Sequence, residues 1–404
     1  MTKKVLNLTV IVAALGYFVD IYDLVLFSIV RVASLKSLGS ADGEILEQGV
    51  FLLNMQMAGM LTGGLLWGIL GDKKGRVSVL FGSIFLYSAA NIANAFVTNV
   101  EQYGALRFIA GVGLAGELGA AITLVSEVMT KETRGYGTTV VASVGISGAV
   151  LAATVGEHFS WQTAYIVGGV LGLALLVMRL AVFESGLFQA VKHRGVARGD
   201  FFALFKTRER TIKYLSCILI GVPIWYVIGI LVTFSPEIAK ELEVTGPVSA
   251  GKGILYCYLG LIFGDLGSGL ASQLAKSRKK VVASFLVMTG AFIAVYFFAR
   301  GITPEMFYAL CVLLGFAIGY WAVFVTIASE QFGTNLRATV TTTTPNFVRG
   351  SVVPLTLAFR GLSENSSLIQ SAAIVGVVVM LIAFGALALL RETFGKDLDY
   401  VEAT

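Results

Sequence analysis

Six ionisable side chains stand inside long apolar runs of this chain: Asp20, Asp23, Arg107, Glu117, Asp265 and Arg349. Charge in a low-dielectric setting is expensive, so such residues are retained where they bind or move something. Two chemistries are open to them. A buried carboxylate can take up and release a proton, and a buried guanidinium can hold a carboxylate through two parallel hydrogen bonds. Asp20 and Asp23 share a helical face, as do Asn346 and Arg349. Thr341-Thr342-Thr343-Thr344-Pro345-Asn346 leads into Arg349 and is polar for an apolar setting. Pro345 frees a backbone carbonyl, which a membrane tolerates only where a cavity or a neighbour satisfies it. Bond-breaking chemistry lacks its parts. Gly145-Ile146-Ser147-Gly148 offers a serine, but neither His158 nor His193 is placed to serve as its base, and there is no H-E-x-x-H. No enzyme, cofactor or metal is expected.

The elements that must position these residues are membrane helices. Of 404 residues, 56% are hydrophobic and 14% charged, with a mean hydropathy of +0.82. An ordinary soluble domain is about a quarter charged, so a water-soluble globular enzyme is excluded. Apolar runs of roughly 20 residues recur along the chain. Twelve are expected, near 5–30, 46–70, 77–97, 103–129, 138–156, 161–182, 214–235, 252–275, 281–299, 304–329, 338–359 and 367–390. The 46 glycines and 6 prolines suit closely packed helices. Cys217, Cys257 and Cys311 lie in apolar runs and read as small buried hydrophobes. The chain therefore reads as an all-α polytopic membrane protein. It divides into a six-helix bundle at 1–183, a cytoplasmic linker at 184–213 and a second bundle at 214–404.

Lysine and arginine orient the spans. With both termini and the linker inside, 22 basic residues fall on the inner side and 6 on the outer. The halves also repeat. Ser126-Glu127, Arg134 and Thr138-Thr139 recur as Ser329-Glu330, Arg337 and Thr341-Thr342, always 203 residues later. Halves related in this way place a ligand site between them near the bilayer midplane.

Depth suggests who can meet whom. If the first helix enters near residue 7, Asp23 lies about 24 Å above the inner edge, and Arg107 about 6 Å below the outer edge, at a similar height. Asp23 is expected to be the proton-coupling acid and Arg107 its partner. Asp20 is a second proton site or a ligand contact. Glu117 is deeper and reads as a gate or packing residue. Arg349 lies about 16 Å in, close to the midplane, so an anion contact there competes with internal neutralisation by Asp265. Tyr22, Trp225, Tyr320 and Trp321 are candidate walls of the site, with Trp225 near a bend at Pro223.

The loop Gly68-Ile69-Leu70-Gly71-Asp72-Lys73-Lys74-Gly75-Arg76 resembles the signature G-x-L-[AG]-D-[RK]-x-G-R of the major facilitator superfamily. RFIAGVGLAGELGAAITLVSEVMTKETR from Arg107 to Arg134, EQFGTNLRAT from Glu330 and FESGLF from Phe183 are similar to patterns of its sugar porters, organic-ion transporters and metabolite:proton symporters. The second-half loop Ser272 to Lys280 is degraded and lacks the aspartate. The resemblance implies twelve helices in two pseudo-two-fold related bundles. It also implies an inner gate of Asp72, Arg76, Glu127, Arg134, Glu184, Glu330 and Arg337. Tyr22-Asp23 resembles the G-Y-D of sugar porters, whose aspartate answers an arginine on the fourth helix. Asn346 to Arg349 resembles an N-x-x-R position whose charge follows the sign of an organic ion.

The expected function is proton-coupled uptake of a small organic anion, such as a carboxylate, by alternating access. Symport of a neutral sugar or zwitterion, or efflux, remains open. The expected partners are the small molecule, protons and the lipid bilayer of the inner membrane, with no nucleic acid. A monomer is expected.

Overall fold

The computed structural model describes residues 8–74, 76–117, 141, 144–184 and 201–395. The first half contains α1 (Leu8–Ser37), α2 (Ile45–Lys74), α3 (Arg76–Asn94), α4 (Val100–Leu114), α5 (Gly148–His158) and α6 (Trp161–Glu184). In the second half, α7 (Arg208–Leu219) restarts as Val222–Tyr226, passes into a π-helical turn at Val227–Val232, and is followed by a short helix, Ser235–Glu241. Then come α8 (Ala250–Leu274) and α9 (Arg278–Phe298). α10 (Pro304–Ala317) restarts as Trp321–Glu330, and α11 (Thr334–Gly350) restarts as Val352–Ser363. α12 is Leu368–Leu389. Among the described residues each of the twelve expected spans carries a helix, and eight helices are long and apolar enough to cross a membrane.

Short polar side chains set several starts. Asn99, Ser249, Ser277, Thr303 and Ser367 each accept a hydrogen bond from the amide three residues on, which satisfies a donor the helix leaves free. Glycine sets the closest packing. A Cβ added to Gly59 or Gly63 of α2 would enter the backbone of α4 at Phe108 or Val112, and one on Gly111 of α4 would strike Gln56. The other half uses the same device. Gly260 and Gly264 of α8 lie on the backbone of α10 at Val312 and Phe316, and Gly315 lies on Cys257. The repeat seen in the sequence is thus also a repeat of glycine seams, α2 on α4 and α8 on α10.

Two boundaries and one charge placement differ from the sequence reading. α1 continues to Ser37, so Arg31, assigned to an outer loop, is a fully buried helix residue. Arg179, which falls inside the expected span 161–182 but counts among the 22 inner-side cations, is buried within α6. α7 begins at Arg208, inside the expected 184–213 linker, behind a 3-10 turn at Phe201–Phe205 whose Phe201 stacks on Phe347 at 6.1 Å. Thr207 caps α7, and aromatic packing orders the approach to it.

At the lysine- and arginine-poor end, called outer here, the halves are tied by polar contacts. Arg31 of α1 reaches Glu237 of the short helix at 2.7 Å, donates to the Thr233 carbonyl at 3.3 Å, and lies over the Phe234 ring at 4.7 Å. Arg360 meets Glu47 at 3.0 Å, Thr356 donates to Asn54 at 2.6 Å, and Ser249 donates to Glu157 at 2.9 Å. Of the two ion pairs described here, only Arg31–Glu237 has a fully buried member, so it outweighs the exposed Arg360–Glu47 pair.

At the other end of the second half, Glu392 just beyond α12 receives the Ser277 hydroxyl and the amides of Arg278 and Lys279 at the start of α9. It supplies a carboxylate where the degraded 272–280 loop has none of its own. Partial burial opposes its charge. The Ser277 hydroxyl and the amides of Phe394, Arg278 and Thr393 outweigh that and bring its carboxyl down from about 4.5 to about 2.

Two outcomes follow. Glu237→Ala strands a buried guanidinium and should lower stability by about 1–3 kcal/mol, while Arg31→Met/Glu237→Ala should recover part of the loss. Thermal unfolding of the purified variants reads this, and an unchanged Glu237→Ala midpoint would remove the tie from the account. A depressed carboxyl stabilises the fold above its unfolded value and loses that contribution as pH falls through the folded one. The gap in unfolding temperature between native protein and Glu392→Gln should therefore be full near neutrality, shrink below about 4.5 and vanish near 2.

Candidate functional site

The polar residues between the halves converge on Arg349. The restart of α11 after Gly350 and the polar run before it bring its guanidinium into the interior, where Arg349 is 1% exposed. Its Nη2 lies 3.3 Å from Oδ2 of Asp20 on α1, which is fully buried. The Trp321 ring lies under the guanidinium at 5.7 Å. Tyr17 of α1 and Tyr258 of α8 face the pair. Arg349 Nε and Nη1, Asp20 Oδ1 and Asn346 Oδ1 are buried without a hydrogen-bond partner. The carboxylate answering Arg349 is thus Asp20 from the opposite half, where the sequence offered Asp265.

Asp265 has another task. α10 breaks between Ala317 and Trp321, and the amide of Ala322 in the new first turn donates to Asp265 Oδ1 at 2.8 Å. A carboxylate at a helix start satisfies a free donor and meets the positive end of the dipole. Asp265 thereby fixes Trp321 beneath Arg349. Tyr320, at the same break, donates its hydroxyl to the Ile220 carbonyl at 2.9 Å, where α7 is itself interrupted. Its polar tip is committed to backbone, as is that of Tyr22, which donates to Ala164 at 2.9 Å. Trp225 is buried one turn beyond the α7 break, beside Pro223. Asn346 crosses the halves, its amide nitrogen donating to the Ala115 carbonyl at 2.9 Å.

Asp23 is fully buried, and neither carboxylate oxygen has a hydrogen-bond partner. The direct pairing with Arg107 expected from depth is not formed. Arg107 donates to Asn91 Oδ1 at 3.0 Å and Gln56 Oε1 at 3.4 Å, and lies over the Tyr165 ring at 5.2 Å. Arg107 and Asn91 both face Asp23, and the Arg107 charge acts on it through space. Gly168 of α6 makes room for this carboxylate, since a Cβ there would run into Asp23 Oδ1 and crowd the Tyr22 ring. Asn91, Gln56 and Gly168 escape a reading of sequence because neutral polar residues and glycines are common in packed helices.

Glu117 is held by Arg179 through two contacts, 3.1 Å and 2.9 Å, and accepts the Ser83 hydroxyl at 3.2 Å. Of the gate residues, Glu127 and Arg134 lie outside the described residues. Asp72, Arg76 and Glu184 fall at the ends of α2, α3 and α6, and their side chains lie outside the description. Glu330 meets Arg278 at 3.5 Å and accepts from Thr393 at 2.7 Å, while Arg337 donates to the carbonyls of Ser329 and Phe332.

Comparison with known proteins gives the family. Residues 13–353 match the family model of the Major Facilitator Superfamily. The chain belongs to this superfamily. It is 27% identical over 363 residues to the niacin transporter NiaP of Acinetobacter baylyi, covering 81% of this chain and 80% of that protein. It is 29% identical over 323 residues to the 3-(3-hydroxy-phenyl)propionate transporter of Escherichia coli, covering 76% and 77%. The crystal structure of a D-xylose-proton symporter superposes with a TM-score of 0.70 at 17% identity, over 96% of this chain and 99% of that one, which shows the shared fold. The protein is a multi-pass membrane transporter of the major facilitator superfamily and not an enzyme.

Capping and counter-ion roles for Asp265 separate by substitution. Asp265→Ala should cost about 0.5–2 kcal/mol, and Asp265→Asn much less, because the amide oxygen still caps the break. Equal losses of stability in the two variants would return Asp265 to the charge balance of Arg349.

Proposed function

We propose that this major facilitator protein takes up a small organic anion together with protons, by alternating access around the site between its halves. It would do so as a monomer in the cell (inner) membrane, with both termini and the linker cytoplasmic. The observation that carries this reading is Arg349, a buried guanidinium with two nitrogens unpartnered and an indole beneath it. A guanidinium matches a carboxylate in a bidentate way, and an aromatic wall covers the apolar body of such a solute. Niacin and hydroxyphenylpropionate, named for the relatives, are both small aromatic acids. Asn346, Trp321 and Tyr17 would complete the contact. Asp23 and Asp20 are the proton-carrying acids of this reading, with Arg107 setting the charge of Asp23 through space. The inner gate is assigned to Asp72, Arg76, Glu127, Arg134, Glu184, Glu330 and Arg337.

A zwitterion is the second reading. Asp20 and Arg349 present a carboxylate and a guanidinium side by side, which fits a solute with both signs.

The test is thermal stabilisation of the purified protein by acetate, benzoate, nicotinate, succinate, glucose, glycine betaine and tetraethylammonium, since a ligand that binds only the folded state raises its apparent stability. A carboxylate should stabilise the native protein and bind Arg349→Gln about 10–100-fold more weakly, the worth of a lost charge-assisted hydrogen bond. Stabilisation by betaine alone favours the zwitterion. Stabilisation by glucose or tetraethylammonium that survives Arg349→Gln discards the anion.

A further inference from the structure

Among the described residues, two carboxylate–guanidinium pairs are buried on both sides, and they are built to different standards. Glu117 and Arg179 make two contacts at 3.1 and 2.9 Å, backed by Ser83, and both partners belong to the same half. Asp20 and Arg349 make one, at 3.3 Å, and they belong to opposite halves. The second pair leaves Asp20 Oδ1, Arg349 Nε and Arg349 Nη1 buried and unpartnered. A fork of donors with Nε and Nη1 unpartnered is far from saturated, and a planar carboxylate arriving from solution could make the paired contact that Asp20 does not.

Charge then limits what can happen. The titratable and charged groups that face Asp20 are Arg349 of α11, Glu117 at the end of α4, Tyr87 of α3 and Tyr258 of α8, with Tyr17 and Asp23 on its own helix. Glu117 is already neutralised by Arg179. Asp20 and Arg349 together carry no net charge. An organic anion entering this dry site would leave an uncompensated negative charge, which costs several kcal/mol.

We infer that Asp20 is an exchangeable counter-ion: the substrate carboxylate displaces it from Arg349, and Asp20 takes up one proton as it lets go. The step balances. The Arg349–Asp20 contact breaks, an Arg349–substrate contact forms, and one proton from water joins an Asp20 oxygen. The site is neutral before and after. Release reverses each change, so one anion and one proton travel together. Because the displaced contact spans the halves, the exchange also removes one of the ties between them. This deepens the organic-anion reading and rests on it. Of the two acids in that reading, it gives the proton taken up with the anion to Asp20 and leaves Asp23, which has no contact with Arg349, outside this step.

The experiment is the affinity of the purified protein for benzoate and nicotinate between pH 5.5 and 8. If one proton is taken up per anion, native affinity rises about tenfold for each unit that pH falls. Asp20→Asn, already neutral, should bind the anion with an affinity that does not change over this range. A native slope kept in Asp20→Asn, or a slope lost in Asp23→Asn instead, overturns the inference and leaves the anion reading standing. Should Asp20→Asn not fold, proton uptake by the native protein on mixing with benzoate, followed with a pH indicator, decides the matter. One proton per bound anion supports the exchange and none overturns it. Native protein that binds neither probe overturns both readings.

Discussion

The contact between Asp20 and Arg349 constrains the rest of the interior. Two ions taken out of water carry a desolvation penalty that their attraction offsets only when the geometry is good. Here it is a single contact, so the surroundings supply what the pair lacks. Trp321 gives the guanidinium an aromatic face, Tyr17 and Tyr258 line the approach, and Asp265 fixes the break that puts Trp321 in place. α10 and α7 are both interrupted at the level of the site, and Tyr320 joins the two interruptions by bonding the Ile220 carbonyl. Regular helices would have satisfied their own backbone. The breaks are held by side chains that also position the binding residues.

α1 carries much of this. From one helix come Asp20 toward Arg349, Asp23 toward Asn91 and Arg107, and Arg31 toward Glu237. Two of these three reach the second half. A small rotation of α1 would alter the central pair and the outer tie together, so events at the site and closure at the outer end share one rigid element. A few kcal/mol of difference between arrangements is enough to shift their populations substantially.

Much of this was legible in the sequence, and what was not has physical reasons. The helical spans and the repeat follow from apolar run length and recurring residues, properties spread over many positions. Arg349 stood out because a polar run in a membrane span is rare. Its partner did not, since Asp20 lies 329 positions away and no local pattern encodes a contact across the halves. Arg31 falls just past the expected span 5–30, where the helix continues beyond the last clear apolar signal, and Arg179 falls inside 161–182 but near enough its end to read as an inner-side cation. Asp265 was read as a charge balancing another charge, although its visible bond is to a backbone amide, and backbone breaks leave little trace beyond glycines such as Gly319. Asn91 was missed because a neutral amide carries no warning of its role beside Asp23 and Arg107.

The glycine seams divide the molecule into two kinds of position. Within each half, α2 lies on α4 and α8 on α10 at backbone contact, so any side chain added to Gly59, Gly63, Gly260 or Gly264 must push two helices apart. Between the halves, the central pair and the outer ties are few, polar and replaceable by other polar groups. Variation during descent is therefore channelled. Changes along the seams act first on helix packing, whereas changes along the central face act first on the polar contacts between the halves. A scaffold partitioned in this way can be diverted to a new solute through a handful of substitutions on α1, α10 and α11.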